Sequence, residues 1–371
     1  MIHLFFSCPR KQATWLLALL ALPAQLRSQH APEPRKDFDT LYVRDYSHIV
    51  SGRVYGSTKI NNLTLGSDEA ANDLIYRPNN RINMGVGASY RALTLNIGFP
   101  VPFLNNDNDV RGKTSYLDMQ ANIYTKRTAS NLFLQTFGGY YLDGPTLGDV
   151  NWDQDTERPY RPDVRQFNVG VSSVRILSSD RFSYRASFNQ DAWQRRSQGS
   201  WLVGAYATYF TARADSSLVP STFADRFSTD LRMRRGDFGD LGPMGGAVYT
   251  FVHREHLFLT LSGVIGAGIT AQHTVSPVPG DDVRNFNLGP GWHAQLRASM
   301  GYNSRRYYVG LAYNQEQIGY LLGERERFTW SVSNIRFNIV KRFDMHIGFM
   351  DRGLRWLKRK VPEPIEDIVP E

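Results

Sequence analysis

At 371 residues the chain has room for one large all-β domain or two smaller ones. Its 19 tyrosines, 21 phenylalanines and 31 glycines go with a negative mean hydropathy of −0.39, the combination expected of aromatic strands whose alternate face is polar. The formal charge of +8 is spread over strands and turns rather than gathered in one basic patch, which gives nucleic-acid binding little support.

The N-terminus follows a different logic. Arg10 and Lys11 precede the apolar run Trp15 to Leu22, and the small residues Ala24 and Ser28 follow, so residues 1–28 are expected to be a secretory signal peptide cut before Gln25 or Gln29. The run is too short for an anchor, and no later stretch supplies the roughly 20 apolar residues of a membrane-spanning helix. Cys8, the only cysteine, precedes the apolar core, where a lipidated cysteine would follow it. Cleavage would remove it with Arg10, Lys11 and Arg27, lowering the formal charge from +8 to +5 and leaving no disulfide or thiolate metal site. An exported chain of this kind is either soluble outside the cytoplasm or embedded as a barrel.

Residues 29–46, with Pro32 and Pro34, read as a polar periplasmic leader. Residues 47–343 then repeat one signature, apolar and polar residues alternating with period two. Ile82 to Tyr90 and Leu93 to Phe99 form a hairpin. Leu117, Met119, Ala121 and Ile123 alternate with Asp118, Gln120 and Asn122, and a turn at Lys126 to Ser130 leads into a strand through Tyr140. Phe167, Val169 and Val171 make another strand. Phe182, Tyr184, Ala186 and Phe188, with Ser183, Arg185, Ser187 and Asn189 opposite, read as the next. Further strands are expected at Trp201 to Phe210, Gly245 to Val252, Leu257 to Ile269 and Phe328 to Phe343.

The stretch Trp292 to Tyr313 shows the pattern most cleanly. Trp292, Leu296, Met300 and Tyr302 share one face, and Tyr307, Leu311 and Tyr313 continue it past a turn at Asn303 to Arg306. These seven, with Phe337 of the last strand, are the candidate lipid-facing residues. The opposite face carries Gln295 and Arg297. With Asp118, Arg185, Arg336 and Arg342, these are the candidate lumen-lining residues, either paired and filling a narrow barrel or lining a pore biased toward anions.

Short turns alternate with polar segments at Pro102 to Lys113, Asp143 to Pro162, Thr274 to Asn287 and Gln315 to Arg327, as periplasmic turns and outer loops do in an outer-membrane barrel. About thirteen strands are recognisable, and single-chain bacterial barrels have even counts, so twelve are favoured and fourteen are the alternative. Ala212 to Leu241 is the stretch that hides one more strand or forms a long loop. Residues 344–371 are expected to be an amphipathic helix, with Ile347, Met350, Leu354 and Leu357 at helical spacing, followed by an acidic periplasmic tail with a possible periplasmic partner.

Chemistry is sparse. Barrel hydrolases pair a histidine with a serine, but His273 and Ser276 are three apart, which in a strand puts them on opposite faces. His253 and His256 flank a turn and lack a third metal ligand. Asn105, Asp107 and Asp109 before Gly112 suggest a calcium loop without its closing acid. The acidic, proline-rich Trp152 to Asp163 specifies no ligand, and Asn62-Leu63-Thr64 is a glycosylation sequon irrelevant to a bacterium. No catalytic, cofactor-binding or metal residue is assigned.

Tyr55-Gly56-Ser57, Gln198-Gly199-Ser200, Asp215 to Pro220, Gly301-Tyr302-Asn303 and the final strand together give a chain that resembles the domain-of-unknown-function 4421 family of uncharacterised Bacteroidota outer-membrane β-barrels. The resemblance implies an outer-membrane barrel and carries over no active or binding residue. The expectation is an all-β transmembrane antiparallel barrel in the outer membrane, in contact with outer-membrane lipid and inserted by the barrel-assembly machinery. It is not an enzyme and has no cofactor, and it serves as a narrow pore or as a structural or surface-interaction protein. The alternatives are a lipid-modifying hydrolase of the outer membrane and a soluble extracytoplasmic β protein.

Overall fold

The computed structural model describes residues 38–345 apart from 67–72, 80–81, 91–92, 102–107, 145–158, 279 and 323–325, and also residue 348. The expected signal peptide and nearly all of the expected C-terminal helix and tail lie outside the described residues, as do Asn105 and Asp107.

The strands are β1 (Val43–Asp45), β2 (Val50–Gly66), β3 (Leu74–Arg77), β4 (Ile82–Tyr90), β5 (Leu93–Pro100), β6 (Ser115–Tyr124), β7 (Thr128–Asp143), β8 (Tyr160–Ile176), β9 (Ala192–Gln194), β10 (Gln198–Arg213), β11 (Arg235–His253), β12 (Leu257–Val278), β13 (Asp281–Asn303), β14 (Tyr307–Leu322) and β15 (Glu326–Phe343). Short helices are α1 (Asn108–Arg111), α2 (Tyr184–Phe188) and a 3-10 turn at Ser221–Arg226. Apart from β1 and β9, which pair only with each other, the strands form one 13-stranded antiparallel sheet.

That sheet closes on itself. β15 pairs along its length with β2, from Arg327 opposite Gly66 to Phe343 opposite Val50, so the last strand meets the first long one. β2 then divides its other edge: Ser51–Thr58 pairs with β4, while Leu63–Leu65 pairs with β3, which in turn pairs with β7. One end of the barrel is thereby closed through β3. Toward the other end, β4 and β5 stand on one side and β6 on the other, and among the described residues no ladder joins β5 to β6.

Where β15 meets β2 and β3 meets β7, closure pairs backbone N–H and C=O groups that a free sheet edge would leave unpaired. It also fixes what the alternation means. On β12, Leu257, Leu259, Leu261, Ile265 and Ile269 are exposed, while Phe258, Thr260, Ser262, Val264 and Thr270 between them are buried. The apolar residues therefore point outward and a largely polar set points in, the reverse of a soluble sandwich. β12 and β13 run to 22 and 23 residues, about twice the 9–11 residues a tilted strand needs to cross a bilayer.

The length of these strands explains several departures from the sequence expectation. Thr274 to Asn287 and Gln315 to Arg327 are mostly strand rather than loop, because β12 continues to Val278, β13 begins at Asp281 and β14 runs to Leu322. In these segments the outer face carries polar as well as apolar residues while Thr274, Ser276, Ile318 and Tyr320 stay buried inside, so the hydrophobic alternation fades while the hydrogen-bond ladder continues. In the ambiguous stretch, residues 214–234 connect the strands and β11 begins at Arg235, earlier than the expected Gly245.

The expected strand from Phe182 to Asn189 is not a strand. Tyr184–Phe188 is the single-turn helix α2, inside the barrel mouth, with Tyr184, Arg185, Ala186 and Ser187 all buried. An element enclosed by the barrel has no solvent face, so its alternating residues carried no information about pleat. Of the residues expected as leader, those from 29 to 37 lie outside the described residues, and Val43–Asp45 forms β1, which pairs with β9 in the same inlet, Val43 opposite Gln194 and Asp45 opposite Ala192.

Candidate functional site

The alternation sorts the candidate residues. Leu296 (50% exposed), Met300, Tyr302, Tyr307, Leu311 and Phe337 stand on the outer face, and Trp292 and Tyr313 are half-buried on that same face. Asp118, Gln295, Arg297, Arg336 and Arg342 point into the barrel. Arg185 lies within the barrel too, on the inlet and not on a stave.

The inlet, residues 177–197, fills the end bearing the short turns. Its guanidinium Arg185 grips Asp191 through Nε at 3.1 Å and Nη2 at 2.8 Å and reaches Asp45 at 3.5 Å, tying α2 to β1. Burial by itself would lower the Arg185 pKa, and the Asp191 and Asp45 carboxylates more than reverse this and raise it. Wall contacts are numerous. Ser187 shares a hydrogen bond with Thr260 (2.6 Å) and Tyr184 with Ser262 (2.8 Å), and the Ser187 carbonyl accepts from Ser299 (3.2 Å) and Tyr308 (3.3 Å). Arg342 donates to the Ser304, Gln190 and Ala192 carbonyls and to Asn303 Oδ1. Trp193 Nε1 donates to the Glu255 carbonyl at 2.8 Å, and its ring stacks on His256, which gives that histidine a packing role.

The opposite end is closed by apolar packing. The connection between β10 and β11 folds inward, burying Leu218, Val219, Phe223, Phe227, Leu231 and Met233 against Phe210, Phe238, Tyr320, Phe328 and Trp330 of the staves. Phe238 stacks on Tyr320 with centroids 4.5 Å apart and on Phe328 at 5.2 Å. Tyr76 donates to the Leu218 carbonyl and Arg161 to that of Ser217, pinning the connection over the opening. Asp215 to Pro220, one of the motifs marked in the sequence, is thus part of this lid.

Between inlet and lid lies a chamber of about 380 Å³. Its wall carries four cations, Arg53, Lys59, Arg297 and Arg336, and one acid, Glu316. Glu316 is occupied: His293 Nε2 bonds it at 2.8 Å, Asn131 donates at 3.0 Å and Gln295 at 3.2 Å. Lys59 is paired with Asp118. The three guanidiniums differ. Arg53 donates to the neutral Ser89 and the Asn189 carbonyl, Arg297 donates to Tyr124, and Arg336 lies over the Tyr55 ring at 4.8 Å. Arg185 and Asp118 thus sit in ion pairs and Arg342 in a carbonyl cage, whereas Arg297 and Arg336 keep their charge facing the chamber.

The remaining candidates are not assembled into a catalytic group. His273 faces outward and its Nδ1 lies 3.3 Å from Asp237 Oδ2, whereas Ser276 points inward and is buried. Among the described residues no group of three or more His, Cys, Asp or Glu could hold a metal ion. Sequence reasoning missed Arg53, Lys59 and Glu316. Their inward position follows from strand parity, and applying parity to β2 and β14 would have found them.

A model of the domain of unknown function DUF4421 matches residues 37–343. No curated protein matches. Among solved structures the chain is similar to the outer membrane protease OmpT from Escherichia coli, at 10% identity and a TM-score of 0.32, covering 81% of this chain and 98% of that one. It is also similar to Ail, the attachment invasion locus protein of Yersinia pestis, at 11% identity and a TM-score of 0.23 over 77% and 98% of the two chains. The translocator domain of the autotransporter NalP from Neisseria meningitidis gives 8% identity and a TM-score of 0.31 over 79% and 88%. Likenesses this distant say nothing of activity.

Proposed function

The chain belongs to the DUF4421 family, which has no assigned activity, and on that premise we propose that it is an integral outer-membrane β-barrel with a closed lumen, acting as a structural or surface-interaction protein. The observation that carries this reading is the contrast between its two faces. A belt of exposed large apolar side chains, from Trp201 and Val203 round to Phe337 and Ile339, encircles a lumen packed at both ends. Soluble monomers rarely leave an apolar patch of more than a few hundred Å² in water, and lipid is the solvent this belt fits. Twelve staves, with β3 as a short insert closing one end, is the count we favour. The lipid of the belt and the barrel-assembly machinery are the partners this reading requires, and a periplasmic partner for the C-terminal tail is part of it. An enzymatic role is not proposed, because His273 and Ser276 face opposite ways.

The second reading is a gated narrow pore for small solutes, favoured by the guanidiniums that line the chamber without carboxylate partners. Two measurements separate the readings. Outer-membrane fractions run with and without boiling are expected to show a heat-dependent change in mobility, and protein released without detergent and insensitive to heat would return the chain to the soluble alternative. Purified protein in planar bilayers is expected to be silent. Steady channels would replace the structural reading by the pore.

A further inference from the structure

We infer that the chamber is a binding site for a small hydroxyl-bearing organic anion, a phosphate or carboxylate group held by Arg53, Arg297 and Arg336 and its hydroxyls by the surrounding side-chain amides. The chamber combines clustered guanidiniums with side-chain amides on one wall.

The charge is only partly compensated, since Asp191 attracts Arg53 and Glu316 attracts Arg297 without forming an ion pair with either. Among the described residues, Arg53, Arg297 and Arg336 make no ion pair, while the wall's one acid is already bonded by His293, Asn131 and Gln295. Arg53 and Arg336 lie close enough to repel each other. Holding like charges together in a half-dry interior costs free energy that a bound anion would return, since the Coulomb energy between close charges grows as the dielectric falls.

Hydrogen-bonding capacity is also left unspent. Asn338, 1% exposed, lines the chamber, and neither its Oδ1 nor its Nδ2 has a partner. A buried amide without partners forgoes the hydrogen bonds it would make with water, so a group that supplies them is favoured at this place. The further amides on the wall supply donors and acceptors in the mixture that hydroxyl groups match. Gln190 on the chamber floor has a φ of 61°, in the left-handed backbone region that residues other than glycine rarely adopt. A volume near 380 Å³ falls at the small end of ligand pockets, which suits a molecule of sugar-phosphate size.

The chamber also reaches Asn96 of β5 and Gln120 of β6, the side on which no ladder joins those strands among the described residues. The same anionic chemistry could therefore arrive as a free solute or as a lipid headgroup from the surrounding leaflet. Calorimetric titration of the purified full chain with glucose 6-phosphate, inorganic phosphate and glucose tests the first source. Native mass spectrometry of the detergent-extracted protein tests the second by looking for a retained anionic lipid. In either arm Arg336→Gln is expected to weaken binding roughly 10- to 100-fold, the loss of one charge-assisted hydrogen bond. Asn338→Leu, which keeps the volume and removes the amide, is expected to weaken it as well, giving a second variant should the first not fold. Binding of glucose as strong as of glucose 6-phosphate, binding unchanged in both variants, or no ligand in either arm would overturn the assignment. Heat-dependent mobility and bilayer silence do not depend on this site, so the barrel reading and the anion site fail separately.

Discussion

Arg342 is expected to be one of the contacts that hold the inlet docked, and the loosening caused by its loss can be measured directly. Arg342 is 3% exposed and donates to four acceptors, of which two, the Gln190 carbonyl at 2.7 Å and the Ala192 carbonyl at 3.3 Å, belong to the inlet. In Arg342→Met the stem's packing is retained and the donors are lost. The Ala192 carbonyl keeps its bond from Asn303 Nδ2 at 3.1 Å, so the cost falls chiefly on Gln190. One short charge-assisted bond and one weaker one come to about 2–4 kcal/mol, a rise of roughly 30- to 700-fold in the population with the inlet undocked. Without residues 1–28 the chain has no cysteine, so Ser187→Cys, at a site 1% exposed, is a unique reporter. Maleimide labelling of this cysteine under native conditions is expected to be slow alone and faster by that factor with Arg342→Met added. Equal rates in the two proteins would refute the reasoning, because the inlet would then be held by something other than this guanidinium.

Other outcomes follow from the same geometry. Leu296→Arg puts a charge on the lipid face and is expected to destabilise the barrel in bilayers by about 2–4 kcal/mol, read as lower yield of the heat-modifiable form in vesicle refolding; an unaffected yield would place Leu296 outside the membrane. Phe238→Ala empties the centre of the aromatic lid and is expected to cost about 3–5 kcal/mol, read from denaturation in detergent, a loss below 1 kcal/mol counting against a packed lid. The Arg195 fork on Glu255 holds that turn carboxylate below its ordinary value of 4.5. A group whose folded pKa is depressed contributes stability above its unfolded pKa and loses it as pH falls through the folded one. The small, salt-screened difference in Ser187→Cys labelling between the parent and Arg195→Gln is therefore expected to be present near neutrality and to be lost in acid, as the pH falls below 4.5 and through the depressed pKa of Glu255; a difference that grew in acid would be the wrong sign.

What the sequence determined by itself is the face each residue takes on the staves. Period-two alternation from Trp292 to Tyr313 assigns Leu296 and Met300 outward and Gln295 and Arg297 inward, because the pleat sends successive side chains to opposite sides whatever the rest of the chain does. The antiparallel all-β class followed from the same repetition. Three features were decided only by the tertiary structure. The barrel's closure through β15 and β2, with β3 bridging to β7, depends on pairing between residues some 280 apart, and no local pattern encodes it. The inlet looked like a strand because Phe182 to Asn189 alternates, yet an element surrounded by protein has no polar side to choose, so burial overrode the pattern. The charges came out unequal for a similar reason. Arg185, Arg297, Arg336 and Arg342 are indistinguishable as inward arginines in the sequence. Asp191 reaches the first, carbonyls cage the last, and the middle two are left facing the chamber only because the folded inlet and staves place their neighbours there.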